Sequence, residues 1–128
     1  MFYQIELMRS AVSLGKDDLN NSFIYKVHLS GNLVMEVSDE FNLLIGTLIN
    51  GGMKKLVFDL TELKYIDSTG IGIFIGLAKA IRNKGGDIAF LNVNAKIHEV
   101  FQLVKLGDFI SFFRGDKQVV DHFFALKV

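Results

Sequence analysis

Apolar and polar positions along this chain change period several times, and each change marks an element. Residues 2–8 alternate as a strand does, and residues 23–29 set Phe23, Tyr25, Val27 and Leu29 against Ile24, Lys26 and His28, the period-two pattern of a half-buried strand. Residues 10–21 between them are rich in turn formers and read as a loop, so the two strands are expected to pair as a hairpin. A helix is predicted over residues 38–49, with Phe41, Leu44, Ile45 and Leu48 on one face and Gly51-Gly52 at its end. The run KLVFDL at 55–60 reads as a strand, and residues 63–66 continue its apolar approach. Helical spacing returns over 71–81, stops at Gly85-Gly86, and gives way to a strand at 87–91. Asn94 is a candidate cap for a third helix through Ile97, Val100, Phe101 and Val104, with Gly107 beyond its end. Residues 109–113 suggest a short last strand, and Asp116 a cap for a final helix through Val119, Val120, Phe123 and Phe124. Strands alternating with helices in this way predict an α/β fold. Its sheet is mixed and four- to five-stranded, with an N-terminal hairpin and about four helices mainly on one face.

Composition trims the functions open to such a fold. The 128 residues are expected to form a single domain over 1–128, long enough to bury a core. Fourteen basic residues balance 14 acidic ones, so no overall field favours nucleic acid or an anionic membrane surface. The chain has no cysteine, which removes disulfides, thiolate zinc sites and Cys nucleophiles together and suits a reducing compartment. No signal-peptide pattern opens the sequence, and no apolar run is long enough to span a bilayer. A cytoplasmic protein is expected.

The candidate chemistry centres on Asp67-Ser68-Thr69-Gly70, where a buried strand hands over to a helix. A serine there sits beside the free N–H groups of a first helical turn. It can be a helix cap, a nucleophile or a phosphate acceptor. Gly70-Ile71-Gly72 hints at a dinucleotide fingerprint, but Ile75 stands where the third Gly should be. A nucleophile elbow needs Gly two residues before the serine, and Ile66 is there instead. His28, His98 and His122 are scattered over different elements, and no His or carboxylate cluster has metal-ligand spacing. Neither catalysis nor a bound metal or cofactor is expected. A phosphate on Ser68 would be favoured by the helix dipole and would add about −1.5 to −2 charge next to Asp67 and Glu62. On the residues alone, a plain Ser68 cap and a phosphate acceptor both stand.

The helix that starts at Thr69 is apolar on more than its core face. Ile71, Phe74, Ile75 and Ala78 make one side, while Gly72, Ile73, Gly76, Leu77 and Ala80 make the other. A helix apolar all round is buried on both sides or keeps a face for a partner. In a chain this small the second reading is favoured, with Ile73 and Leu77 exposed and Gly72 and Gly76 leaving a shallow groove.

Residues 55–113 resemble the STAS domain, specifically the bacterial anti-sigma factor antagonists. The resemblance rests on Asp59-Leu60, Asp67-Ser68-Thr69-Gly70, Gly85-Gly86 and Leu106-Gly107 in that order, and it covers roughly residues 22–113. It implies a phosphorylation-switched module that binds an anti-sigma factor, itself a serine kinase, when Ser68 is unphosphorylated, and so frees a sigma factor. It further implies a metal-dependent serine phosphatase as a reset, a monomer when free, and a partner surface built from Asp67, Ser68, Thr69, Gly70, Gly72, Ile73, Gly76 and Leu77. The chain departs from the pattern after its second strand, where Gly31-Asn32-Leu33 is followed by Val34 and not by Asp. That loop lies beside the serine in the family. The loop at 10–21 is also longer than usual. Two other readings stay open: a receiver-like domain phosphorylated on Asp59, and a constitutive interaction domain whose Ser68 is never modified.

Overall fold

The computed structural model describes residues 2–9 and 23–124. In chain order these form β1 (Phe2–Arg9), β2 (Phe23–Leu33), α1 (Met35–Asn50), β3 (Lys55–Ile66), α2 (Ser68–Asn83) and β4 (Asp87–Leu91). They are followed by α3 (Ala95–Leu103), a 3-10 turn at Leu106–Asp108, β5 (Ser111–Phe113) and α4 (Gly115–Phe124). The five strands make one sheet in sequence order, with β1 antiparallel to β2 and every other neighbour parallel. This is the mixed sheet expected from the pattern. The expected loop at 10–21 lies outside the described residues.

Strand alternation sends side chains to two cores. Val27, Leu29, Phe58, Ile88 and Phe90 meet α1, α2 and α3 on one face, while Ile24, Val57, Ala89 and Leu91 meet Val119 and Phe123 of α4 on the other. A relay of rings ties the larger core together. Phe41 lies 5.8 Å from Phe58, Phe58 5.0 Å from Phe74, Phe74 4.9 Å from Phe90, and Phe90 5.1 Å from Phe101. Each such ring contributes about 2–3 kcal/mol by leaving water, and together they fix α2 over the middle of the sheet.

Several boundaries move, each for a tertiary reason. Strand β2 runs on to Leu33 because a register irregularity and Gly31, at φ 86°, let it follow the full length of β3. Helix α1 begins at Met35, not Ser38, although Val34 in the cap position offers no side-chain acceptor. The last strand shrinks to Ser111–Phe113 because Leu106–Asp108 closes a 3-10 turn, and Val104 is 50% exposed just past the end of α3. Asn94 does cap α3, accepting from the Ile97 amide at 3.0 Å. Asp116 is not the cap of α4. It lies inside the first turn and takes the ammonium of Lys26, a buried sheet residue, at 2.8 Å. Among the described residues, no helix is long and apolar enough to cross a membrane.

Candidate functional site

Strand β3 ends at Ile66, and one extended residue, Asp67, turns the chain into α2. The Asp67 carboxylate binds two helix starts at once. Its Oδ1 accepts from the Gly70 amide at 2.9 Å, and its Oδ2 accepts from the Met35 amide of α1 at 3.0 Å. The Asp67 amide in turn donates to the Leu33 carbonyl at 3.3 Å. The acid missing after Leu33 is thus replaced from across the sheet: where Val34 cannot cap α1, Asp67 does so. The Gly70 amide is the chief cause that holds the Asp67 carboxyl below its ordinary range; partial desolvation opposes it, and the Met35 and Thr69 amides add to it.

Ser68 is therefore not the cap. It is the first residue of α2 and is exposed, and no partner for its hydroxyl exists among the described residues. Gly70 has the opposite situation. It is buried, and a Cβ built on it would fall 2.7 Å from the Leu33 carbonyl oxygen and 2.8 Å from Ile66 Cγ1. Only hydrogen fits between α2 and the end of β2. The glycine of this motif is a packing residue, and its expected place on the partner surface is corrected accordingly.

The outer side of α2 also differs from the expected one. Leu77 is 3% exposed and belongs to the core with Phe74, Ala78 and Ile81. Its placement on the partner face was wrong because the buried stripe of α2 runs through Gly70, Phe74, Leu77, Ala78 and Ile81, turned round the helix from the expected face of Ile71, Phe74, Ile75 and Ala78. Ile71, Ile73 and Ile75 are half-buried at the margins. Gly72 and Gly76 are exposed, with nothing within 4 Å of a Cβ added at either. They are not close-packing glycines. The accessible strip is Ser68, Thr69, Gly72 and Gly76, with Ile73 at its edge.

Two residues extend that strip which sequence reasoning passed over. Met35, whose amide rests on Asp67, is 65% exposed, and Tyr65, in the last turn of pairing before Asp67, is 53% exposed. Met35 lay outside the expected helix, and Tyr65 read as part of a buried approach. Glu62, expected beside the serine, lies four strand positions before Ile66, roughly 13 Å away by strand rise.

Asp59 does not end its strand; β3 continues to Ile66. Its Oδ1 accepts from the Thr61 amide and hydroxyl, and its Oδ2 lies 3.2 Å from His28 Nδ1. His28 also meets Glu6 at 3.0 Å. A receiver-like order, which needs a helical crossover between the first two strands, fails because β1 and β2 are antiparallel. His122 meets Asp87 at 2.9 Å, and His98 packs edge-on to Phe112. The three histidines are thus spread over separate contacts, and no cluster of metal-ligating groups exists among the described residues.

A STAS domain profile matches residues 18–119. The chain belongs to the STAS domain family. Among curated STAS relatives, the anti-sigma-B factor antagonist of Listeria monocytogenes is 34% identical over 56 residues, 44% of this chain and 49% of that protein. The chain thus spans about half the length of the Listeria relatives it matches. The anti-sigma-B factor antagonist of Staphylococcus aureus is 26% identical over 91 residues, 71% of this chain and 84% of that protein. The phosphorylated form of the Bacillus cell fate determinant SpoIIAA superposes with a TM-score of 0.67 over 94% of this chain and 98% of that one, at 20% identity. That likeness is one of fold.

Proposed function

We propose that this STAS domain protein is an anti-sigma factor antagonist, switched by phosphorylation of Ser68. Unphosphorylated, it binds an anti-sigma factor serine kinase through the strip of Ser68, Thr69, Gly72, Ile73 and Gly76, flanked by Tyr65 and Met35. The observation that supports this best is the division of labour at the helix start. Asp67 caps α2, so the exposed Ser68 hydroxyl is spared from the fold and accessible to a kinase. A phosphate there meets the positive end of the helix dipole, so the fold tolerates it. The same dianion stands beside the Asp67 carboxylate and on the apolar strip, where a docked partner would desolvate it without pairing it. Binding is lost while the fold is kept. A metal-dependent serine phosphatase would reset the switch, and Asp67 and Gly70 serve by holding the strip in shape. The names of the curated relatives support the partner class.

The test pairs kinase labelling with calorimetry. The chain is incubated with ATP and the candidate anti-sigma kinases, the labelled residue is mapped, and affinity is measured for the unmodified, phosphorylated, Ser68→Ala and Ser68→Asp forms. Label is expected on Ser68 alone. The alanine form should bind like the unmodified one, the aspartate form more weakly, and the phosphorylated form weakest. Equal affinity of phosphorylated and unmodified chains would leave a constitutive interaction domain and end the switch reading.

A further inference from the structure

Strand β1 closes one side of the sheet and pairs only with β2 among the described residues, so no described strand takes up its outer row of N–H and C=O groups. The usual guards against further pairing are missing from its centre. The chain has no proline, and no lysine falls in β1. The one mid-strand charge, Glu6, leans to the face where His28 holds it at 3.0 Å. On the opposite face Ile5 and Leu7 are 38% and 52% exposed, beside a half-buried Tyr3 that rests against Phe41.

We infer that this edge is a homodimer interface, in which two copies align their β1 strands antiparallel with Ile5 opposite Ile5 and join the two sheets into one. The argument for a second copy, and not an unrelated strand, is that β1 complements itself in this register. Ile5 meets its own copy, Tyr3 meets Leu7 of the second copy, and the two Tyr3, Ile5 and Leu7 sets merge into one apolar band. On the other face Gln4 lies opposite Glu6 of the second copy, so an amide donor meets a carboxylate acceptor. Centring the pair one residue later would set Glu6 against Glu6, which repels, and would leave Tyr3 with no apolar residue opposite it. At the other side of the sheet β5 has only 3 residues, too short a template for the same pairing. The dimer leaves Ser68 and α2 uncovered, since β1 contributes nothing to that strip. It departs from the monomer that the sequence suggested.

Analytical ultracentrifugation of the full chain over a wide concentration range tests the inference, together with two kinds of variant. The unmodified chain should show a dimer that dissociates on dilution, and Ile5→Lys should raise its dissociation constant by at least about tenfold, with the melting temperature kept. The chain has no cysteine, so single cysteines report the register even where Ile5→Lys folds poorly. Ile5→Cys should cross-link readily under mild oxidation. Leu7→Cys should do so far more slowly, because the two Leu7 positions lie roughly 13 Å apart along the strands. A monomer at every concentration, a dimer indifferent to Ile5→Lys, or equal cross-linking at both positions would overturn the proposal.

Discussion

The two ends of α2 are each anchored by an aspartate, and they differ in what the anchoring leaves free. At the N-terminal end Asp67 is held by backbone amides, those of Gly70 and Met35. At the C-terminal end Asp87 is held by side chains: Arg82 Nε at 2.8 Å and His122 Nε2 at 2.9 Å. Arg82 also lies 4.9 Å over the Phe109 ring, and His122 packs against Phe113 and Phe123. The side chains of Arg82, Asp87 and His122 thus join α2, β4 and α4 at that end. Backbone anchoring at the other end consumes no neighbouring side chain, so Ser68, Thr69, Met35 and Tyr65 stay available. A side-chain network makes a joint; a backbone-held cap makes a platform.

The largest effect should come from disturbing the platform's footing. Gly70→Val forces three carbons into the contact with Leu33 and Ile66 and should lose about 3 kcal/mol in urea denaturation. A tolerated valine would mean that α2 can lift from β2, and that the N-terminal end is not held as described.

Next is the acid limb of stability, which separates the two anchors. Burial works against the Asp87 carboxylate, but the hydrogen bonds from His122 and Arg82 outweigh it and hold its pKa at about 2. A pKa depressed on folding contributes stability that is present above the unfolded value of 3.8 and is lost as pH falls through the folded value. Stability should therefore fall between about pH 4 and pH 2, by roughly 2 kcal/mol from Asp87. Asp87→Asn should flatten that limb in denaturation curves taken across this range, leaving the part that belongs to Asp67. An unchanged limb would show that the C-terminal anchor is not ionic.

The smallest effect sharpens the comparison most. Gly72 and Gly76 face open space, so replacing either with Ala should stabilise the chain by about 0.5–1 kcal/mol through helix propensity alone. If the strip is where a partner's backbone approaches, the same changes should weaken binding. Stability gained with affinity intact would move the docking surface elsewhere.

Much of this was legible in the sequence because it depends on local period and local chemistry. Alternation located the first two strands and short strand-like runs the other three, the i, i+3, i+4 pattern located four helices, and Asn94 capped α3 from its own neighbourhood. The Asp-Ser-Thr-Gly segment was readable as a strand-to-helix corner for the same reason, and so was Ser68 at a helix start. What needed tertiary structure were the partners supplied by distant elements. Asp67, and not Ser68, caps α2, and it also caps α1, 32 positions away in sequence. Gly70 is demanded by a carbonyl of β2, and Asp116 by a lysine on the sheet. Leu77 and Gly76 are adjacent residues of similar expected exposure, yet one is core and the other open. Periodicity gives the position of an apolar stripe on a helix that is apolar all round only to within a residue or two, and the elements packed against α2 decide which margin is covered.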